Sequence, residues 1–135
     1  MESPTSVLDA SALLAYLNDE EGADLVEDAL IRGSAISSVN MAEVLSKLTE
    51  LGKEPDEVTK DLQRRGFLGR TLALHPLTTE DAVVIAKLYK RTKPQSLSLG
   101  DRACLALAIR LRVPALTTDR AWSRLKIAVK VELIR

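Results

Sequence analysis

Short apolar runs alternate along this chain with longer stretches whose apolar positions recur every three or four residues, the pattern of strands interleaved with helices. Ser6-Val7-Leu8-Asp9 predicts a short buried strand, followed by an apolar helix from about Ser11 to Leu17. Gly22 opens an amphipathic helix with Leu25, Ala29 and Leu30 on one side, and Ser34 to Val39 predicts a second strand. Helices follow at Asn40 to Leu51, bounded by Gly52, and from Pro55 to about Arg65, where Pro55 suits a first helical position and Gly66 lies past the end. Thr71 to Leu77 is the third predicted strand, and Thr78 or Thr79 caps a helix running to about Arg91. The polar segment Thr92 to Gly100 predicts a loop, Asp101 to Leu111 a buried helix, and Val113 to Thr118 a fourth strand. After a helical turn around Trp122, alternation from Ile127 to Leu133 marks a final edge strand.

Strands exchanged with helices imply right-handed crossovers, so the expected fold class is α/β: a three-layer α/β/α sandwich around a mostly parallel sheet of four to five strands. Sites in such sheets form at the carboxyl ends of the strands. Asp9 ends the first strand, Asp119 follows the fourth, and Glu43 lies in the first turn of the helix leaving the second. Asp101 starts a helix that must deliver the chain to the amino end of strand four, so it too belongs at the carboxyl rim. Placing it there requires the loop 92–100 to cross the molecule, since the preceding helix is expected to end at the opposite rim. Nine extended residues reach roughly 30 Å, more than the ~20 Å of a thirteen-residue helix.

Composition narrows the setting. At 135 residues and 46% hydrophobic content the chain has the size of one domain, 1–135, with a real core. A single cysteine, Cys104, excludes an internal disulfide framework, and with a lone His75 there is no thiol or imidazole cluster for zinc. Met1-Glu2-Ser3-Pro4 lacks the basic and apolar start of a leader, and the longest apolar run, Ala103 to Ile109, is too short to span a bilayer. A soluble, cytoplasmic protein is expected. The net charge of zero conceals two poles: residues 1–60 carry 13 acidic and 4 basic side chains, residues 61–135 carry 6 acidic and 15 basic. Such polarity steers a polyanion or reflects solvated helix faces of different sign.

Taken singly, each of the four acids has an ordinary explanation. Asn40-Met41-Ala42-Glu43 and Ser98-Leu99-Gly100-Asp101 have capping-box spacing, and Asp9 and Asp119 suit the caps of the elements they precede. Capping does not require acids at the ends of two strands expected to be adjacent, with two more aimed at the same crevice. Like charges so gathered cannot all ionise uncompensated, and no lysine lies within the four motifs. Oxygen-only donors suit Mg²⁺ or Mn²⁺, which keep water and take phosphate oxygens as further ligands. Such an ion lowers the pKa of water and stabilises charge at phosphorus, so metal-assisted phosphodiester hydrolysis is the expected chemistry.

Val7-Leu8-Asp9-Ala10-Ser11-Ala12-Leu13, Ser38-Val39-Asn40-Met41-Ala42-Glu43-Val44, Ser98-Leu99-Gly100-Asp101-Arg102 and Leu116-Thr117-Thr118-Asp119-Arg120 together resemble the motifs of PIN-domain ribonucleases, and among them the VapC toxins of toxin–antitoxin pairs. The resemblance runs through almost the whole chain in the family's order, with no departure at an acidic position. It implies a Mg²⁺- or Mn²⁺-dependent endoribonuclease in which Asp9, Glu43, Asp101 and Asp119 bind the metal and carry catalysis. It further implies an RNA substrate, inhibition by a VapB-like antitoxin, and a homodimer. Ser11 and Thr117 look like the family's hydroxyls beside the carboxylates and Asn40 like its supporting amide; helix caps and strand-end turns explain them equally. Arg102 and Arg120 either hold RNA phosphates or pair with surface acids. Two other readings stay open: a PIN fold kept as a binding module, and a haloacid-dehalogenase-like phosphatase, which would place a carboxylate where Ser11 stands.

Other conspicuous residues suggest packing. Cys104 reads as a small core side chain, His75 before Pro76 as strand-end packing, and Trp122 as an anchor for the last strand. Lys87, Lys90, Arg91 and Lys93 are expected as a solvated surface at the rim away from the acids.

Overall fold

The computed structural model describes residues 3–135; Met1 and Glu2, which begin the segment read for a leader, lie outside the described residues. Strands and helices alternate as β1 (Ser6–Leu8), α1 (Ala10–Leu17), α2 (Ala23–Arg32), β2 (Ser34–Ser37), α3 (Ser38–Glu50), α4 (Pro55–Arg64), β3 (Leu72–His75), α5 (Thr79–Thr92), α6 (Leu99–Leu111), β4 (Ala115–Thr117) and β5 (Val131–Leu133). Two 3₁₀ turns, Lys93–Gln95 and Arg120–Arg124, follow α5 and β4. The sheet order is β3-β2-β1-β4-β5 and every pairing is parallel. β5 is an edge strand, as its alternation suggested, but only three residues long.

Successive side chains of a strand point to opposite faces, and β1 and β2 show what covers each. Leu8 and Ile36 join the core shared with Leu13, Leu30, Val44 and Leu62 of α1 to α4, whereas Val7 and Ala35 face Leu88, Leu105 and Leu107 of α5 and α6, with Trp122. With both faces covered, the three inner strands β1, β2 and β4 are continuously buried, as parallel strands are. Each fully buried large apolar side chain contributes roughly 1.5–3 kcal/mol. β1 sits at the point where strand order reverses, with β2 on one side and β4 on the other, which opens a crevice beyond its carboxyl end. Among the described residues no helix is long and apolar enough to cross a membrane.

Two features differ from the sequence-based expectation. β2 stops at Ser37 because the Ser37 hydroxyl accepts the Val39 amide and caps α3, so Asn40 and Glu43 lie inside the helix and form no capping box. The route from α5 to α6 is also different. Asp81, at the start of α5, accepts two hydrogen bonds from Arg110 near the end of α6, at 3.0 and 3.1 Å. Farther along α5, the Ile85 carbonyl and the Tyr89 ring meet Arg102 near the start of α6. The two helices are therefore antiparallel neighbours, and α5 ends beside the beginning of α6. No loop crosses the molecule, and the basic end of α5 lies on the same side as Asp101.

Candidate functional site

A cavity of about 690 Å³ at the carboxyl rim is lined by Asp9, Glu43, Asp101 and Asp119, together with Ser11 and Asn40. Each acid is aimed by local structure. Asp9 caps α1: its Oδ1 accepts the Ala12 amide at 2.8 Å and the Ser11 hydroxyl at 2.7 Å, and its Oδ2 accepts the Thr117 hydroxyl at 2.6 Å. Those hydroxyls also accept backbone amides of the β4 exit, Ser11 from Thr118 and Thr117 from Asp119, both at 3.0 Å. The ends of β1 and β4 are thereby tied into one unit. Asp119 Oδ1 accepts the Ala121 amide and caps the turn 120–124. Asp101 completes a capping box with Ser98 at the start of α6. Capping and convergence are thus the same device: the caps point the carboxylates into the crevice.

Glu43 is fixed differently. Its Oε1 accepts a hydrogen bond from Asn40 Nδ2 at 2.8 Å, and the same amide donates to the Gly100 carbonyl at 2.9 Å, joining α3 to α6. A side chain at Gly100 would meet Glu43: a Cβ there would overlap Oε1 and stand 2.7 Å from Cδ. Asn40 is buried, and its Oδ1 has no partner among the described residues.

Burial pushes the Asp9 carboxyl up to about 6, against the Thr117, Ser11 and Ala12 hydrogen bonds that favour its charge, and the Asp101 charge adds to the rise. Cys104, buried one turn beyond Asp101, has its thiol pushed well above the ordinary range by burial and then by the charges of Asp9, Asp101 and Glu43. The donors are oxygen-only, a chemistry that fits a hard divalent cation. Among the described residues no three Asp, Glu, His or Cys side chains are drawn tightly enough together to hold an ion alone. An open set of this kind suits an ion that retains water and takes substrate oxygens.

Lys47, which the motifs did not reveal, also lines the cavity. It stands one helical turn beyond Glu43, and that i, i+4 spacing on a predicted helix was the available signal. Arg102 and Arg120 do not line it. Arg102 donates to the Ile85 carbonyl at 3.0 Å and lies 5.2 Å from the Tyr89 ring centroid, while Arg120 is exposed beside Asp119. Trp122 and Cys104 are buried among apolar side chains. His75 ends β3 near Arg110 and Asp81; burial and the Arg110 charge depress its pKa, and Asp81 partly offsets them.

A family model described as PIN domain matches residues 6–128. Solved structures share the fold at low identity. A toxin–antitoxin complex from Klebsiella pneumoniae is 17% identical, with a TM-score of 0.69 over 93% of this chain and 98% of that one. DNA-bound VapBC from Salmonella typhimurium is 14% identical, with a TM-score of 0.71 over 97% and 98%. Mycobacterium tuberculosis VapC20, described as a sarcin–ricin loop cleaving toxin, is 14% identical, with a TM-score of 0.69 over 93% and 98%. No curated protein sequence matches the chain.

Proposed function

The chain belongs to the PIN domain family, and on that premise we propose that it is a divalent-cation-dependent endoribonuclease, the toxin of a VapBC-type toxin–antitoxin pair. The observation that carries the reading is the cavity: four carboxylates, one beyond each of two adjacent strands, one in the first turn of α6 and one inside α3, gathered around space for a ligand. Structural neighbours described as toxin–antitoxin complexes, and one as a toxin that cleaves the sarcin–ricin loop, support the choice of RNA and of a toxin role.

In this reading Asp9, Glu43, Asp101 and Asp119 hold Mg²⁺ or Mn²⁺. The ion supplies positive charge for the developing phosphoryl oxyanion and makes water a better nucleophile. The chain's own residues do the rest. Ser11 and Thr117 hold Asp9 in one rotamer by hydrogen bonds to both of its oxygens, and Asn40 holds Glu43. Lys47 lines the cavity with its ammonium 3.6 Å from Glu50, an exposed pair that a phosphate oxygen would replace. Action in the cytoplasm, a VapB-like antitoxin and a homodimer belong to the same proposal, following the family resemblance.

The test is Asp101→Asn assayed on structured RNA with Mg²⁺. The substitution keeps size and shape and removes one charge, so cleavage should fall by about three orders of magnitude, the equivalent of about 4 kcal/mol of lost stabilisation. Cleavage undiminished in the variant would refute the assignment.

A further inference from the structure

Between Asp81 and Glu132 the chain carries eleven lysines and arginines but two acids, Asp101 and Asp119, both in the cavity. The antiparallel path of α5 brings part of this charge to the cavity side of the molecule. The turn Lys93–Gln95 packs against the turn Arg120–Arg124, which begins directly after Asp119. Arg91 Nη1 donates to the Lys126 carbonyl at 3.4 Å and fastens the end of α5 to the segment beyond that turn. Arg91, Lys93, Arg120, Arg124 and Lys126 are exposed, and none forms an ion pair among the described residues.

We propose that these five cations form an arc that binds the phosphate backbone of single-stranded RNA as it leaves the acidic cavity past Asp119. The inference rests on the reading of the cavity as an RNA-cleaving site and adds where the strand runs. Four gathered carboxylates repel a polyanion, so a substrate strand needs compensating charge close by, and unpaired exposed cations supply it through release of the strand's counterions. An acidic protein is the weaker occupant: residues 120–126 expose no large apolar side chain, and the exposed Tyr89 ring beside Lys93 is one aromatic face, suited to a stacked base, and not the core of a protein interface.

The experiment is a titration, followed by fluorescence anisotropy, of the protein with a short fluorescein-labelled 2′-O-methyl oligoribonucleotide, which resists cleavage, over a series of KCl concentrations. The double variant Lys93→Gln/Arg124→Gln should bind roughly tenfold more weakly at low salt. Its plot of log affinity against log salt should be shallower by about 1.4, since each phosphate contact to a single strand contributes about 0.7. Lys53→Gln, in the turn between α3 and α4, should bind like the unaltered protein. Equal affinity and slope for the double variant, or no binding by the unaltered protein, would overturn the arc. The binding needs no turnover, so the two readings separate: a protein that binds through the arc but cuts no RNA refutes hydrolysis and leaves the arc standing. A protein that cuts RNA with its binding untouched by the double variant refutes the arc alone.

Discussion

Asp9 and Asp81 are the carboxylates buried among the described residues, 4% and 3% exposed, and both sit at the start of a helix. They differ in company. Asp81 receives a two-pronged contact from Arg110 and the Thr78 amide. Burial raises its pKa, but the Arg110 hydrogen bond, the Thr78 backbone and the guanidinium charge bring it below the ordinary value. Asp9 receives three neutral donors and no cation, has Asp101 nearby, and is pushed up to about 6. The fold compensates the acid that joins α5 to α6. It leaves uncompensated the acid at the strand-order reversal, where a ligand has room to enter.

The sharpest way to break this contrast is to neutralise both acids in turn. Asp9→Asn should lower RNA cleavage about a thousandfold and abolish Mn²⁺ binding measured by calorimetry, yet leave folding intact at neutral pH, because it removes a costly buried charge. Asp81→Asn should do the reverse. It unpairs Arg110, whose side chain is 30% exposed and can be rehydrated, so the loss should be that of a charge-assisted hydrogen bond, about 2 kcal/mol in a urea melt, with Mn²⁺ affinity preserved. Were Asp81→Asn to lose the ion and keep its stability, the division of roles would be wrong.

How far the sequence discloses these roles depends on the range of the interactions involved. The strands, the parallel sheet and the placing of Asp9 and Asp119 at its carboxyl rim follow from local periodicity and from caps within three residues, which a chain displays directly; Asp101 caps α6 as its spacing suggests but reaches the rim without the expected crossing loop, and Glu43 is no cap. The packing of α5 on α6 rests on Asp81 meeting Arg110, twenty-nine residues away, and no period reveals that. The meeting of the turn Lys93–Gln95 with the turn Arg120–Arg124 was hidden for the same reason. Arg102 illustrates a second limit: it follows Asp101 directly, but adjacent helical residues face different directions, and its side chain turns to Ile85 and Tyr89. Lys47, one turn from Glu43, was readable; the closeness of Gly100 to Glu43 across fifty-seven residues was not.

That close approach sharpens the comparison from the other side. Gly100→Ala puts a methyl group where the Glu43 carboxylate lies, and the flexible side chain moves more readily than the backbone. The fold should survive, with a melting temperature close to that of the unaltered protein, while Mn²⁺ affinity falls roughly tenfold, the lower end of the effect of disturbing a ligand's support. In a Glu43→Ala background the same methyl group should cost nothing further. An additive loss in the double variant would mean that Gly100 acts through something other than Glu43.

The smallest effect is a pH dependence whose sign belongs to Asp9 alone of the pair. Its carboxyl titrates near 6 in the folded protein against 3.8 for the ordinary group, so the folded state holds the proton more tightly. The stability this contributes is fully present below pH 3.8 and is lost as pH rises through about 6. Between pH 5 and pH 7, in EDTA, the unaltered protein should lose about 1 kcal/mol relative to Asp9→Asn, as read from paired urea melts. Asp81, with a depressed pKa, works in the opposite sense, contributing stability above pH 3.8 that disappears as pH falls through its lower folded value. Mn²⁺ should cancel the neutral-pH deficit, because a cation satisfies the charge that burial penalises, and its affinity should weaken below about pH 6 as protons compete for Asp9. A stability difference between the two proteins that stays flat from pH 5 to pH 7 would show that Asp9 is already ionised and compensated, and the contrast with Asp81 would vanish.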